Sequence, residues 1–115
     1  MPTNHVSIQD STTHLPDGLD NDVTKTFDAP GLNTDTRPFL SYRVQPDGGS
    51  VTLQMDLNGN RIVDTTFGND VSRSLNEIVD NGFAVETDNE LVIRRQAGPG
   101  TVDVSDLIFV YSADA

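Results

Sequence analysis

Val51–Phe67 reads VTLQMDLNGNRIVDTTF, two runs in which apolar and polar residues alternate on either side of Asn58-Gly59. An Asn-Gly pair favours a type I′ turn, because both central residues of that turn need a positive φ. The stretch therefore predicts a β-hairpin in which Asn58 and Gly59 are the two turn residues. The other predicted strands are expected to pack around this hairpin.

Counting outward from the turn gives the predicted register of the hairpin. Asp56 faces Arg61 as an opposite-charge pair on the solvent side, and Leu53 faces Asp64. This register turns the Asp64 carboxylate toward the interior, where an unpaired charge is costly. We therefore expect either a bulge or a frayed end near Asp64, or a functional partner for its carboxylate. The predicted core-facing residues are Val51, Leu53, Met55, Leu57 and Ile62.

The length and composition of the chain fit one domain built from short strands. Its 115 residues are enough for one hydrophobic core and too few for two. Hydrophobic residues make up 35% of the chain, which is below the usual globular level, and the turn-forming residues Gly, Asn and Asp are plentiful. There is no cysteine, which excludes disulfides, a thiolate nucleophile and a sulfur-ligated metal.

The chain carries a formal net charge of −11, from 18 acidic and 7 basic residues. Nucleic acids and anionic membrane surfaces bind positive fields, so this charge argues against both as partners. Three explanations of the acidity stay open: a well-solvated surface, adaptation to high salt, and calcium binding. No apolar run approaches the roughly 18 residues of a membrane span, so we expect no membrane insertion. The sequence also shows no charged segment followed by an apolar one at its start, so we expect no signal peptide.

The remaining strands are predicted from alternation between turn signals. Residues 1–22 are a polar N-terminal arm, expected to be an edge strand or partly disordered, and residues 23–115 are expected to form the sandwich domain. Val23–Ala29, Pro38–Val44 and Glu90–Arg95 alternate as half-buried strands do. The residues expected to face inward in the last two of these strands are Leu40, Tyr42, Val44, Leu91 and Ile93.

Two further segments complete the predicted fold. Val71–Val79 has apolar residues near helical spacing and also suits an edge strand, which its strand neighbours favour. Thr101–Tyr111 ends in five consecutive apolar residues, which predicts a central strand buried on both faces. Seven or eight short strands without a helical pattern predict an all-β fold, a single-domain antiparallel β-sandwich with jelly-roll or Greek-key topology.

Three local features together resemble the galactose-binding-domain-like jelly rolls. They are the hairpin within Leu53–Ile62, the turn and strand Asp88–Ile93, and the closing strand Val102–Ile108. The resemblance extends over residues 23–113 and implies the same fold, with a carboxylate near the last strand as support for a structural calcium ion. Many such modules stack sugars on aromatic residues, whereas this chain has no tryptophan and few aromatics. Fold membership therefore does not by itself imply sugar binding.

The sequence offers little support for catalysis. His5 and His14 both lie in the polar arm, where a general base would be hard to hold in place. No G-x-S-x-G turn, glycine-rich phosphate loop or His-rich metal motif occurs. We therefore expect a protein that is not an enzyme.

Calcium is the candidate cofactor, and Asp17, Asp20 and Asp22 are its candidate ligands. They lie in an oxygen-rich stretch that is typical of a site for a hard cation and equally of an ordinary polar turn. The segment from Asp56 also imitates the start of a D-x-N-x-N calcium loop. Arg61 stands where that loop needs glycine, so the hairpin explains the segment better.

The candidate ligand-binding residues are Arg43, Arg94, Arg95 and Tyr42. A guanidinium group is a planar fork that suits hydroxyls and carboxylates, so an acidic sugar is one conceivable ligand. The alternative is that the arginines pair with the many surface aspartates. For Tyr42, the alternative to a stacking platform is a place in the core or an interface.

We predict a non-enzymatic binding module that recognises a carbohydrate or another extracellular surface through loops at one end of the sandwich. The alternative is a structural subunit of a self-assembling particle or surface apparatus, such as a virion, an injection system or a surface layer. Such a subunit would form homo-oligomers through the edges of its sheets. Both hypotheses favour an extracellular location or the surface of a particle, with a carbohydrate or a protein surface as partner.

Overall fold

Antiparallel strands form the whole regular structure of the computed structural model, which describes residues 3–15, 22–68 and 72–113. Within these residues there is no helix long and apolar enough to cross a membrane. The strands are β1 (Thr3–Leu15), β2 (Val23–Phe27), β3 (Phe39–Asp47), β4 (Val51–Leu57), β5 (Asn60–Phe67), β6 (Arg73–Ile78), β7 (Asn89–Ala97) and β8 (Thr101–Ser112).

The strand order is that of a jelly roll. The front sheet has the order β1-β8-β3-β6, and the back sheet has the order β2-β7-β4-β5. Every connection passes from one sheet to the other except the β4–β5 hairpin, so the two sheets are wound together. The prediction of an all-β antiparallel sandwich with jelly-roll topology is confirmed.

The β4–β5 hairpin has the predicted turn. The φ angles of Asn58 and Gly59 are 50° and 83°, both positive as a type I′ turn requires. Asp56 faces Arg61, and their side chains form the predicted ion pair on the outer face of the back sheet.

A β-bulge changes the register beyond that pair. Ile62 is the extra residue, so that Val63 faces Met55 and Asp64 faces Gln54. The bulge turns Asp64 to solvent, where its side chain is 55% exposed, and it buries Val63 in place of Ile62. Ile62 still packs against the core, partly buried, while Val63 takes the fully buried position. The predicted pairing of Leu53 with Asp64 is wrong, because the bulge avoids burying the Asp64 carboxylate.

The core lies between the two sheets. The rings of Phe27 in the back sheet and Phe109 in the front sheet meet across the interior, with centroids 5.0 Å apart. Burial of this apolar surface is the main stabilising term for a domain without disulfides. The predicted inward-facing residues of β3 and β7 are all buried: Leu40, Tyr42, Val44, Leu91 and Ile93.

The front sheet contains the strands predicted within Val71–Val79 and Thr101–Tyr111. The first segment, whose pattern suited either a helix or an edge strand, forms the edge strand β6, as the neighbouring strands favoured. β8 lies between β1 and β3, as predicted for a central strand. Its inward residues Leu107 and Phe109 are buried, but Ile108 and Val110 on the outer side are half-buried. The prediction of burial on both faces is wrong, because among the described residues no further layer covers the front sheet.

Residues 3–15 of the polar arm form β1 at the edge of the front sheet. β1 pairs with β8 over its whole length, with register shifts on both sides of Gln9. At its end, Leu15 is completely buried in the core. Residues 16–21 lie outside the described part of the chain.

Two long loops lie at the same end of the sandwich. They are the β2–β3 loop, residues 28–38, and the β6–β7 loop, residues 79–88. The turn of the β4–β5 hairpin lies beside them, since Asn58 contacts the β6–β7 loop. We call this the loop end. The short β3–β4 and β7–β8 turns lie at the opposite end.

Candidate functional site

The two loops of the loop end are held together by hydrogen bonds. The amide of Ala29 donates to the carbonyl oxygen of Glu86 at 2.8 Å. The amide of Asp88 donates to the carboxylate of Asp28, also at 2.8 Å. These bonds join segments about sixty residues apart, and they fix the two loops relative to each other.

Asn89 fixes the inner side of the β6–β7 loop. Its side chain is completely buried, and its oxygen accepts hydrogen bonds from the Val85 amide at 2.8 Å and from Asn58 Nδ2 at 2.9 Å. Its Nδ2 donates to the carbonyl oxygens of Val85 at 2.6 Å and Phe27 at 3.2 Å. One side chain thus satisfies polar groups from the hairpin, the loop and the end of β2.

Asn58 has a second function beyond its place in the turn. Its Nδ2 also donates to the carbonyl oxygen of Phe83 at 2.7 Å, and its Oδ1 accepts from the Glu90 amide at 2.8 Å. From the sequence, Asn58 is predicted only as a turn residue. The partners of its side chain lie more than twenty residues away, so only the fold reveals them.

A shallow cleft opens between the two loops. Leu32, Pro38 and Ala84 are its buried apolar lining. The exposed groups around this lining are neutral hydrogen-bonding side chains and one carboxylate: Thr34, Thr36, Asn81 and Asp80. Hydroxyl and amide groups both donate and accept hydrogen bonds, and a carboxylate accepts from two hydroxyls. This chemistry suits a neutral ligand that is rich in hydroxyl groups.

The wall formed by the β2–β3 loop is rigid for a local reason. Asn33 is buried, and its Oδ1 accepts a hydrogen bond from the Asp35 amide at 2.7 Å. Its own amide donates to the carbonyl oxygen of Ser112 in the last strand at 2.9 Å. An Asx turn of this kind holds the backbone that presents Thr34 and Thr36.

The predicted ligand-binding residues do not converge on this cleft. Tyr42 is 1% exposed and belongs to the core, where burial and the nearby carboxylate of Glu77 raise the pKa of its hydroxyl. Arg43 lies on the outer face of the front sheet, where its Nε donates to Ser72 Oγ at 3.3 Å. Arg94 lies on the back sheet, on the opposite side of the molecule.

Arg95 is buried and supports the turn that follows its strand. Its guanidinium donates to the carbonyl oxygen of Gly100 at 2.6 Å and to that of Gly98. A signal for this role was present in the sequence, because alternation with Leu91 and Ile93 turns Arg95 inward just before a Gly-Pro-Gly turn.

Arg94 belongs to a network of ion pairs on the back sheet. It donates to the Asp22 carboxylate, with a closest distance of 3.1 Å, and to Asp56 at 3.3 Å. Arg61 donates to the same Asp56 carboxylate and approaches Asp64 at 3.9 Å. The hydrogen bond from Arg61, supported by Arg94, holds the pKa of Asp56 below its ordinary value. The hydrogen bond to Asp22 raises the pKa of Arg94.

The predicted calcium ligands are only partly within the described residues. Asp17 and Asp20 lie outside them, and Asp22 is engaged by Arg94. In the described part of the chain no group of three or more acidic or histidine side chains is arranged to hold a metal. The segment from Asp56 is a hairpin, as favoured from the sequence, and its side chains are used in pairing and in fixing the loop. Calcium at Asp17, Asp20 and Asp22 stays a prediction.

No model of a protein family matches this chain, and no curated protein matches it either. Solved structures do share its fold. The CBM36-1 domain of a multidomain xylanase from the hindgut metagenome of Trinervitermes trinervoides superposes with a TM-score of 0.63 at 9% identity, over 99% of this chain and all of that domain. A mutant of the family 29 carbohydrate-binding module CBM29-2, complexed with cellulohexaose, gives 0.56 at 9% identity, over 94% of this chain and 91% of that one.

Dimeric latent PorU from Porphyromonas gingivalis gives a TM-score of 0.62 at 11% identity. The match covers 95% of this chain and 13% of PorU, so a single domain of that protein has the fold. At these identities the likeness concerns the fold. It confirms the jelly-roll β-sandwich fold that the resemblance implies, and these two carbohydrate-binding modules have the same fold.

Proposed function

We propose that this chain is a non-enzymatic carbohydrate-binding module that binds a neutral saccharide in the cleft at its loop end. The observation that carries the proposal is the lining of the cleft, in which Thr34, Thr36, Asn81 and Asp80 surround a small apolar surface. Saccharides present hydroxyl groups around apolar ring faces, so this lining complements them.

The charge of the molecule supports a neutral saccharide over an acidic one. The cleft includes the Asp80 carboxylate and no arginine or lysine among the residues that line it. The chain as a whole carries a charge of −11, which repels anionic ligands. The acidic sugar suggested by the arginines in the sequence is therefore not part of the proposal.

The proposal includes an extracellular location, where a binding module meets polymeric saccharides. The structures that share the fold do not favour the assembly alternative, and light scattering during size-exclusion chromatography tests it directly. A defined ring or filament without saccharide binding would support the assembly alternative in place of the binding module.

Affinity electrophoresis in gels that contain soluble polysaccharides tests the proposal. The panel contains the neutral polymers xylan, mixed-linkage glucan and mannan, with polygalacturonate as the acidic control. We expect at least one neutral polymer to retard the protein and polygalacturonate to leave it unretarded. Failure of every neutral polymer to retard the protein would contradict the proposal.

Two substitutions place the binding in the cleft. Thr36→Val removes a hydroxyl without changing side-chain shape, and Asn81→Ala removes an amide at an exposed position. The double variant is expected to lose most of the retardation. Thr87→Val is the matched control, since Thr87 is exposed on the same loop and does not line the cleft. Equal retardation of both variants would exclude the cleft as the binding site.

A further inference from the structure

The outer face of the front sheet has an exposed apolar row beside the loop end. Phe39 on β3 is paired with Ile78 on β6 and with Val110 on β8. Phe39 is 36% exposed and Ile78 is 66% exposed, although both are large apolar residues. Alternation explains why they face outward, because the next residue in each case, Leu40 or Val79, is buried.

A second row of side chains follows on the same face, two residues further along the strands. Ser41 is paired with Asn76 on one side and with Ile108 on the other. Together the two rows form what we call the front platform. On β1 the two rows continue with His5, paired with Val110, and Ser7, paired with Ile108. The rows contain hydroxyl, amide, imidazole and apolar groups, and none of the chain's 18 acidic residues.

The front platform differs from the outer face of the back sheet in having no acidic side chain. The outer face of the back sheet carries Asp22, Asp56 and Asp64, which are held in ion pairs with Arg61 and Arg94. A ligand on that face would have to displace or desolvate paired charges. A ligand on the front platform would cover apolar groups and neutral hydrogen-bonding groups, which costs much less.

The platform is continuous with the cleft at the loop end. Phe39 directly follows Pro38, and Ile78 lies two residues before Asp80, and both Pro38 and Asp80 line the cleft. Strands lie about 4.8 Å apart, so the row that crosses from β6 to β1 spans about 14 Å, and the two rows together are about 7 Å deep. This area exceeds a single sugar ring and suits several linked rings.

We infer that the front platform extends the saccharide site, so that the module binds internal segments of an extended neutral polysaccharide rather than chain ends or single sugars. The inference rests on the proposed function. The exposed face of Phe39 contacts the apolar face of a sugar ring, while Ser41 and Asn76 bond to its hydroxyls.

A second copy of the chain fits the platform less well than a saccharide. A platform of about 14 by 7 Å covers roughly 100 Å², whereas a stable protein interface buries about 800 Å² on each partner. Two copies would also bring together two chains of charge −11. Self-association through this face would instead appear as a dimer in size-exclusion chromatography with light scattering.

Titration calorimetry with a length series of oligosaccharides, from disaccharide to hexasaccharide, tests the inference. The series is cut from whichever neutral polymer retards the protein. For the unaltered chain, affinity is expected to rise by about tenfold or more between disaccharide and hexasaccharide, as rings reach the platform. Phe39→Ala and Ile78→Thr are expected to abolish that rise and to leave disaccharide affinity unchanged. Ile78→Thr keeps a β-branched side chain on an edge strand, so it serves if Phe39→Ala does not fold.

Val85→Thr is the matched control, because Val85 is 49% exposed on the β6–β7 loop and lies outside both the platform and the cleft lining. It is expected to keep the full length dependence. Hexasaccharide affinity that survives both platform substitutions, while Thr36→Val with Asn81→Ala removes it, would overturn the inference alone. No binding of any saccharide by the unaltered chain would overturn the proposed function together with the inference. A dimer that Ile78→Thr dissociates would identify the platform as a protein interface and overturn the inference.

Discussion

Replacement of Asn89 is expected to cause a large loss of stability, because this buried side chain makes four hydrogen bonds. A net contribution of about 1 kcal/mol for each bond gives a loss of about 4 kcal/mol in the free energy of unfolding. A domain of this size loses about 4 °C of melting temperature per kcal/mol, so the expected decrease is about 15 °C. The partners left behind in the β6–β7 loop would include the amide and carbonyl groups of Val85.

Two substitutions separate hydrogen bonding from packing. Asn89→Leu keeps the volume of the side chain and loses all four bonds, whereas Asn89→Ala loses the bonds and leaves a cavity. Urea unfolding followed by far-UV circular dichroism measures the loss, with Asn76→Ala as the control at an exposed position. A Leu variant within about 1 kcal/mol of the unaltered protein would refute the hydrogen-bonding argument. The two Asn89 variants are expected to weaken saccharide binding as well, because the β6–β7 loop that they release presents Asp80 and Asn81.

Three further predictions concern the back sheet and the calcium hypothesis. Because Arg61 and Arg94 lower the pKa of Asp56, the contribution of Asp56 to stability is present at neutral pH and is lost as pH falls below about 4. Asp56→Asn should therefore lower the urea midpoint at neutral pH and make the midpoint depend less on pH below about 4. Deletion of Ile62 should leave a folded protein, because it removes only the bulge residue and keeps every other β4–β5 pair. Deletion of Thr65 shifts the pairing of the residues that follow and should unfold the protein. Circular dichroism of the two deletion variants measures the difference. The predicted calcium site requires a higher melting temperature with calcium than with a chelator, and an unchanged midpoint would exclude it.

The strands and the sandwich could be predicted because they follow from local patterns. A two-residue period and an Asn-Gly pair depend on neighbouring residues, and they correctly gave the hairpin and the inward sides of β3 and β7. The bulge was anticipated as one way to keep Asp64 out of the core. Its position at Ile62 could not be derived, since several places along β5 would have had the same effect.

The chemistry of the charged and amide side chains was much harder to predict. Arg94 and Asp22 are 72 positions apart in the chain, and only the pairing of β7 with β2 brings them together. The bonds of Asn89 to Phe27 and Asn58 likewise join separate segments. Residue type identified these side chains as polar, but whether each one holds the fold together or faces a ligand depends on strand order.

The distribution of charge over the two outer faces connects the fold to the proposed function. The outer face of the back sheet carries the carboxylates of Asp22, Asp56 and Asp64, all of them in ion pairs. The half-buried carboxylate of Asp56 pairs with both Arg61 and Arg94, so a ligand on the back sheet would compete with ion pairs that already exist. The two rows of the front platform have no acid to neutralise, so Phe39 and Ile78 stay accessible there. A neutral polymer can cover such a surface without breaking an ion pair, and for this reason we expect platform binding to vary little with salt concentration.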